Sequence, residues 1–170
     1  MTVKTGHVDP WWGVKHRDLG YVYRPINFSN EYFLLWKSQG YDRFNINGWI
    51  YDMSSSMPDY ADGFFNLHKW NDIGISFYQM KPFDFLPAHR DHYSTYIKKF
   101  KIDDPKKIWR TVVFLEDWKS GHYFEIDGVA NTNWKAGDWV SWQYNVEHAA
   151  GNIGTEDRYT VQITGWVDEP

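Results

Sequence analysis

The sequence contains no cysteine among its 170 residues. Disulfide bonds, thiolate zinc sites and cysteine nucleophiles are therefore excluded, and a reducing compartment is compatible with this absence. Any metal ion must instead be bound by imidazole or carboxylate groups. These are plentiful, because the chain has seven histidines and 22 acidic residues.

The sequence also lacks long apolar runs and blocks of like charge. The N-terminal stretch MTVKTGHVDPWW has no apolar signal core, and no stretch approaches the roughly 20 apolar residues that span a bilayer. Eighteen basic and 22 acidic residues give a net charge of −4, so electrostatics does not favour binding to nucleic acid or to a membrane surface. We expect a cytoplasmic protein without either partner.

Aromatic residues, by contrast, are abundant and make up 20% of the chain. Wide, flat side chains fill the interior of a β-barrel well, and aromatic residues favour strands. The length is sufficient for one sizeable hydrophobic core and does not require two. We therefore expect a single domain over residues 1–170.

The first part of the chain carries weak helical signals. Residues 1–27 mix Gly, Pro, Trp and Tyr without a period, which indicates irregular structure or short edge strands. Ser29 or Asn30 can cap a short helix through EYFLLWKSQG that Gly40 stops, and PDYADGFFNLHKW is compatible with a second one. Both helices are expected to be packing elements.

The second part of the chain carries strand signals instead. The segments ISFYQM, IWRTVVFLE, HYFEID, DWVSWQY and RYTVQITGW are separated by Pro, Gly, Asn and Asp. Short strands of this kind predict an antiparallel sandwich or barrel. We place this barrel core at residues 73–166 and regard residues 1–72 as helical or irregular support.

The segment LPAHRDHYSTY concentrates titratable side chains. His89 and Asp91 are two residues apart, so in an extended strand both side chains lie on one face. A further histidine, His148, follows the strand DWVSWQYNVE. Two imidazoles and one carboxylate form the facial arrangement that leaves three positions open on non-haem Fe(II). The sequence therefore predicts a catalytic metal site.

The strand RYTVQITG, ten residues after His148, has one entirely polar face, formed by Arg158, Thr160, Gln162 and Thr164. If this face points into a barrel, Arg158 requires an anionic partner, because an unpaired buried charge costs several kcal/mol. A ligand carboxylate satisfies it with bidentate geometry, and Thr160 can add a hydrogen bond. The charges also balance: Fe(II), one carboxylate ligand, a dianionic 2-oxo acid and Arg158 together are neutral.

This ordered set, His89-x-Asp91, His148 and Arg158-x-Thr160, resembles the Fe(II)/2-oxoglutarate-dependent oxygenases over roughly residues 73–166. The resemblance implies a mostly β fold, a double-stranded β-helix (jelly-roll, cupin-like) barrel with short N-terminal helices. It also implies that the triad binds Fe(II), that 2-oxoglutarate chelates the metal, and that Arg158 and Thr160 hold its distal carboxylate. Tyr78, in ISFYQM, is a further candidate contact to 2-oxoglutarate.

The implied reaction couples the oxidative decarboxylation of 2-oxoglutarate by O2 to hydroxylation of a substrate, with release of succinate and CO2. Halogenating relatives replace the carboxylate ligand with a small residue, so Asp91 favours hydroxylation. The substrate stays open between a small molecule, an amino acid and a peptide side chain, because fold does not determine substrate. We expect a small-molecule or peptide partner.

Two other functions compete with this one. A non-catalytic, aromatic-rich β-sandwich that binds carbohydrate would explain the tryptophans and tyrosines, but it leaves the order of the histidines, Asp91 and Arg158 unexplained. A cupin-like metal enzyme without a 2-oxo acid would use the triad, but it offers no anion to the polar face of Arg158 and Thr160.

The remaining aromatic and histidine residues have less definite roles. Tyr93, Tyr96 and Trp118 can flank a substrate at the mouth of the site or cover the end of the barrel, and flat aromatic side chains suit both uses. The other histidines have no comparable partners in the sequence, so we expect structural or surface roles for His7, His16, His68, His92 and His122.

Overall fold

A computed structural model describes residues 3–24, 31–41 and 48–168. The helices in this part of the chain are α1 (Glu31–Ser38), α2 (Asp62–Phe65) and α3 (Ser94–Phe100), with short 3-10 turns at Lys15–Asp18, Asp59–Ala61 and Pro105–Lys107. The strands are β1 (Val3–His7), β2 (Val22–Tyr23), β3 (Trp49–Asp52), β4 (Asn71–Met80), β5 (Phe85–His89), β6 (Ile108–Phe114), β7 (His122–Ile126), β8 (Val129–Asn131), β9 (Asp138–Gln143), β10 (His148–Asn152) and β11 (Arg158–Trp166).

The described strands form two antiparallel sheets. The larger has the order β1-β9-β6-β11-β4-β3-β2, and the smaller has the order β5-β10-β7-β8. The segments expected to be strands correspond to β4, β6, β7, β9 and β11, so the mostly β prediction is confirmed. The larger sheet ends in the short edge strands β1 and β2, as the N-terminal composition indicates. The division of a single domain at residue 72 stays a prediction.

The side chains of β11 alternate between two environments. Tyr159, Val161 and Ile163 belong to a hydrophobic cluster that includes Trp12 and Phe64 from the N-terminal part of the chain. Burial of each large apolar side chain there is worth about 1.5–3 kcal/mol. Because this cluster takes the apolar face of β11, its polar face is turned toward the smaller sheet.

A second cluster fills the space between the sheets. Phe114 and Trp142 of the larger sheet pack with Phe124 and Ile126 of the smaller one, and Trp134 stacks on Phe114 with ring centroids 4.0 Å apart. This aromatic packing holds the two sheets together at one end and borders the polar face of β11. Many of the abundant aromatic side chains are therefore core residues.

Both expected helices are present. α1 ends at Ser38, and Gly40 follows with a φ of 91°, a left-handed conformation that glycine adopts readily. The capping role predicted for Ser29 or Asn30 lies outside the described residues. α2 contributes Phe64 to the core. None of the helices in the described ranges is long and apolar enough to cross a membrane.

The sequence did not predict α3. It directly follows Tyr93, which has a φ of 51°, and it ends before Lys101, which has a φ of 55°. The local signal is weak, because no side chain caps the N-terminus and Thr95 and Ile97 are β-branched. Tyr93, in its left-handed conformation, separates the His89-x-Asp91 pair from α3.

Candidate active site

Two buried histidines face each other in the smaller sheet. His89 is the last residue of β5 and His148 is the first of β10, and the pairing of these strands places them directly opposite each other. Their ring centroids are 4.3 Å apart, and the residues are 3% and 4% exposed. The backbone pairing therefore brings together two imidazoles that are 59 positions apart in the sequence.

Backbone carbonyl groups orient both rings. Nδ1 of His89 lies 2.8 Å from the carbonyl oxygen of Pro87, and Nδ1 of His148 lies 3.1 Å from that of Val146. A carbonyl oxygen only accepts hydrogen bonds, so each Nδ1 carries the proton and each Nε2 carries the lone pair that a metal requires. The tautomers suit metal binding through Nε2.

Asp91 completes the cluster but does not lie on the strand. β5 ends at His89, so the expectation that His89 and Asp91 lie on one strand is wrong. The strand ends there because its partner β10 begins at His148, which pairs with His89, and β10 therefore has no residue that could pair with Asp91. Asp91 nevertheless approaches both rings, with Oδ1 3.7 Å from Nε2 of His89 and Oδ2 3.4 Å from Nε2 of His148. The three ligand atoms all lie within 4.8 Å of one another.

The electrostatics of the triad match the protonation states of metal ligands. Burial lowers the pKa of His89, and it lowers the pKa of His148 to about 4, so both rings are neutral at neutral pH. Burial alone would raise the pKa of Asp91, but the charge of the nearby Arg110 guanidinium is the largest of the effects that lower it to about 2. The result is two neutral imidazoles beside an ionised carboxylate.

Arg110, on β6, is a site residue that the sequence reasoning missed. Its Nη1 donates to Oδ2 of Asp91 at 2.5 Å, and its guanidinium carbon lies 4.7 Å from the centroid of the Tyr93 ring. The signal was present, because a charged residue stands in the apolar strand IWRTVVF. Alternation places Arg110 on the same face as Val112 and Phe114, which point into the space between the sheets.

A cavity of about 240 Å³ lies between the two sheets beside the triad. Its walls include the triad, Arg110 and the polar face of β11, with Leu86, Val112, Phe124 and Trp142 as apolar lining. Arg158 pairs with Met80 of β4, and Thr160 pairs with Tyr78. The predicted candidates Arg158, Thr160 and Tyr78 therefore lie in one cavity with His89, Asp91 and His148.

Arg158 is buried in this cavity without an acidic partner in the described part of the chain. It is 5% exposed, its Nε has no hydrogen-bond partner, and its Nη1 lies 3.4 Å from Sδ of Met80. The rings of Phe114, Phe124 and Trp134 lie 5.5–5.8 Å from the guanidinium carbon. Burial lowers the pKa of Arg158 to about 10, so it remains charged at neutral pH.

Three polar side chains line the same wall. Tyr78, Thr160 and Gln162 all border the cavity, and within the described ranges none of their side chains forms a hydrogen bond. Burial raises the pKa of Tyr78, so its hydroxyl is a neutral donor. Together with Arg158 they present hydrogen-bond donors to whatever fills the cavity.

The other aromatic candidates have different positions. Tyr93 is partly buried and packs under Arg110. Tyr96 donates through its hydroxyl to the carbonyl oxygen of Asp72 at 2.8 Å, and Trp118 donates to a backbone carbonyl of β7 and packs on the core cluster between the sheets. Tyr96 and Trp118 do not line the cavity beside the triad, and their contacts indicate packing roles.

The remaining histidines have the structural or surface positions expected of them. His16 is 1% exposed, with Nε2 2.9 Å from Oε1 of Glu116. His68 stacks on Trp70 at 4.1 Å, and Nε2 of His122 lies 3.0 Å from a backbone carbonyl oxygen. The two exposed members are His7 and His92.

Comparison with known proteins gives structural neighbours only. No protein-family model matches the sequence, and no curated protein sequence matches it significantly. The fold is similar to that of a prolyl-4-hydroxylase from Pseudomonas putida, with a TM-score of 0.55, 15% identity and coverage of 78% of this chain and 81% of that one.

Two further solved structures are more distant neighbours. One is an uncharacterized conserved protein with a double-stranded beta-helix domain from Klebsiella pneumoniae, with a TM-score of 0.40, 15% identity and coverage of 61% and 76% of the two chains. The other is a cupin protein from Bacteroides fragilis, with a TM-score of 0.43, 12% identity and coverage of 68% and 85%. The structure is mostly β, with two antiparallel sheets and few helices among the described residues, and its structural neighbours include cupin and double-stranded β-helix proteins.

Proposed function

We propose that this protein is an Fe(II)- and 2-oxoglutarate-dependent oxygenase that hydroxylates a small molecule, an amino acid or a peptide side chain. The observation that carries the proposal is Arg158, a charged group buried in the same cavity as the triad and without an acidic partner among the described residues. Such a group requires an anionic ligand. A dicarboxylate that chelates the metal can bind the metal at the triad through one end and pair with Arg158 through its other carboxylate.

The triad fits an Fe(II) ion. His89 and His148 offer neutral Nε2 atoms, Asp91 offers an ionised oxygen, and the three ligand atoms converge. This donor set, two imidazoles and one carboxylate, suits non-haem Fe(II) and leaves coordination positions open for a co-substrate and O2. When bound, the metal supplies the oxidative chemistry that side chains cannot perform.

Arg158, Thr160 and Tyr78 bind 2-oxoglutarate in this proposal. The fork of Arg158 pairs with the distal carboxylate, and the hydroxyl groups of Thr160 and Tyr78 are positioned on the adjoining strand pair to donate further hydrogen bonds. The three aromatic rings around Arg158 keep water away from this contact, which strengthens it. The chain thereby orients the 2-oxo acid group toward the triad.

The overall reaction balances as one 2-oxoglutarate, one O2 and one substrate C–H bond giving succinate, CO2 and one C–OH group. One oxygen atom enters succinate and the other enters the substrate. The protein's own contribution is to hold the co-substrate and the substrate next to the triad and to limit access of water through the apolar lining of Leu86, Val112 and Trp142.

The competing functions explain less of the structure. In a carbohydrate-binding module, exposed aromatic residues would form the ligand surface, whereas Trp12, Trp36, Trp109, Trp134 and Trp142 are all buried. A cupin-like enzyme that uses the metal alone gives Arg158 no anion. Both alternatives would also leave the cavity donors Thr160 and Tyr78 without a ligand.

The direct test is formation of succinate. Purified protein is supplied with Fe(II), 2-oxoglutarate, O2 and a mixture of candidate substrates, and succinate is measured by mass spectrometry. Asp91→Ala should abolish its formation, whereas Asp9→Ala, at a fully exposed position, should leave it unchanged. Equal succinate formation by the wild-type protein and Asp91→Ala would refute the proposal.

A further inference from the structure

The cavity contains a second arginine that binding of 2-oxoglutarate does not use. Arg110 lies on β6 opposite Thr164 of β11, and its Nε lies 3.4 Å from Oγ1 of that threonine. The polar face of β11 carries, in order along the strand, Arg158, Thr160, Gln162 and Thr164. Arg110 lies beside Thr164 and is therefore at the opposite end of this face from Arg158, next to the triad residue Asp91.

Arg110 has hydrogen-bonding capacity to spare. Nη1 donates to Asp91 and Nε donates to Thr164, but Nη2 has no acceptor among the described residues. The guanidinium carbon lies 4.7 Å from the centroid of the Tyr93 ring, and this contact together with the two hydrogen bonds restricts the orientation of the guanidinium. The amide of Gln162 lines the same cavity and likewise has no partner in the described ranges.

The charges of the occupied cavity do not cancel without a further anion. Among the residues that the structure describes, the charged side chains that line the cavity are Arg24, Asp91, Arg110 and Arg158, and Arg24 is already paired with Asp52. With Fe(II) and 2-oxoglutarate bound as proposed above, the metal, Arg110 and Arg158 exceed Asp91 and the dianion by one positive charge. One additional carboxylate would make the site neutral.

The size of the cavity limits the substrate. A volume of about 240 Å³ is below the roughly 300–1,000 Å³ typical of pockets for drug-sized ligands. It must also hold 2-oxoglutarate. The remaining space therefore suits a second small molecule better than it suits a segment of a folded protein substrate.

We infer that the primary substrate is a small free carboxylic acid whose carboxylate is bound by Arg110, with Gln162 as a second polar contact. This inference rests on the proposed oxygenase function and adds the substrate class. It places the substrate beside the triad, on the opposite side of Gln162 from the co-substrate carboxylate at Arg158. It disfavours a residue inside a peptide chain, which has no free carboxylate on its backbone.

A purely structural role for Arg110 makes a different prediction. If Arg110 only orients Asp91, its replacement should weaken metal binding and leave the affinity of the metal-loaded protein for a carboxylic acid unchanged. If Arg110 binds the substrate carboxylate, affinity for the acid should fall even when the metal is saturating. The two roles are separated by measuring metal and acid binding independently.

The experiment begins with protein loaded with Fe(II) and 2-oxoglutarate in the absence of oxygen. Bound iron and bound 2-oxoglutarate are measured first, and failure at this stage counts against the proposed function before any acid is added. The loaded protein is then titrated by calorimetry with the common L-α-amino acids and with unbranched monocarboxylates from propionate to hexanoate. Each acid is compared with its carboxamide, which has the same shape without the charge.

Variants assign the binding to Arg110. Arg110→Gln removes the charge, Arg110→Lys retains it without the fork, and Arg90→Gln is the control, because Arg90 is adjacent to the triad but pairs with Glu147 outside the cavity. At saturating Fe(II), we expect the best-binding acid to bind Arg110→Gln at least about tenfold more weakly than it binds the wild-type protein. The loss of affinity should be smaller in Arg110→Lys, and Arg90→Gln should bind the acid as the wild-type protein does.

In the wild-type protein, at least one acid should bind at least about tenfold more tightly than its amide. The inference is overturned if no acid binds saturably, if acids and amides bind equally, or if Arg110→Gln binds the acid as the wild-type protein does. The comparison of acid with amide needs only wild-type protein, so it decides the question even if an Arg110 variant does not fold.

Discussion

Replacement of Arg158 by methionine should separate stability from function. In the absence of a ligand, Arg158 is a buried cation without an acidic partner in the described part of the chain. Methionine keeps most of the apolar length of the side chain and removes the charge. We therefore expect Arg158→Met to fold at least as stably as the wild-type protein and to lose affinity for 2-oxoglutarate.

The magnitude follows from the burial. The pKa of Arg158 is lowered from 12.5 to about 10, and this difference corresponds to about 3 kcal/mol of cost to the charged form at any pH below both values. The three neighbouring aromatic rings lie near the limit of about 6 Å for a cation–π contact and offset this cost by about 0.5–1 kcal/mol each. The expected change in the free energy of unfolding therefore lies between zero and a gain of about 1.5 kcal/mol.

Thermal denaturation and titration with 2-oxoglutarate under anaerobic conditions test both parts. Arg158→Met should melt at the same temperature as the wild-type protein or several degrees higher. Its affinity for 2-oxoglutarate should fall about 30- to several-thousand-fold, because a charge-assisted bidentate contact in a dry pocket is worth roughly 2–5 kcal/mol. Arg90→Met, at a half-exposed position, is the control.

A loss of more than about 2 kcal/mol of stability in Arg158→Met would show that Arg158 stabilises the fold rather than awaiting a ligand. Unchanged affinity for 2-oxoglutarate would remove Arg158 from the binding site.

Three further predictions concern the metal, a turn and the response to acid. His148→Ala should lower bound Fe(II) per chain toward zero in metal analysis after gel filtration, and a full complement of iron would contradict the triad. Gly121→Ala should lower the melting temperature far more than Gly128→Ala: both glycines have positive φ, but only at Gly121 would a Cβ lie 2.2 Å from the backbone of Gly154. An equal fall in the melting temperature of the two variants would contradict the close approach of Gly121 to Gly154. Burial alone would raise the pKa of Glu116, but three basic neighbours hold it well below its usual range. Its stabilisation is therefore present above about pH 4.5 and is lost as the pH falls below that value. In urea titrations at pH 7, Glu116→Gln should have a lower free energy of unfolding than the wild-type protein. This difference should narrow as the pH falls below about 4.5, and a difference that does not change with pH would contradict the prediction.

Much of the fold can be predicted from the sequence because local patterns and tertiary packing agree. The alternation in RYTVQITG separates Arg158 and Thr160 from Tyr159 and Val161, and the structure places these pairs in the cavity and in a hydrophobic cluster. The order of His89, Asp91 and His148 likewise indicates a cluster, because few other reasons would bring those residue types together in that pattern. For β11 the strand periodicity carries the information, whereas for the triad the order of the residue types carries it.

Features that depend on pairing between distant segments could not be predicted in the same way. The end of β5 at His89 depends on where β10 begins, so the position of Asp91 beyond the strand is not a local property. Arg110 stands in an apolar strand, and its partner Asp91 is 19 positions away. The helix α3 lacks a side-chain cap, so its sequence gave no clear start signal.

The central claim is that one cavity binds Fe(II) and 2-oxoglutarate together, and anaerobic absorption spectroscopy tests it most directly. When Fe(II) and 2-oxoglutarate are added to the wild-type protein without oxygen, a visible charge-transfer band of the chelate should appear and saturate at one equivalent of each per chain. Neither component alone should produce it, and Asp91→Ala should not develop it. Absence of the band in wild-type protein that has bound iron would contradict the account.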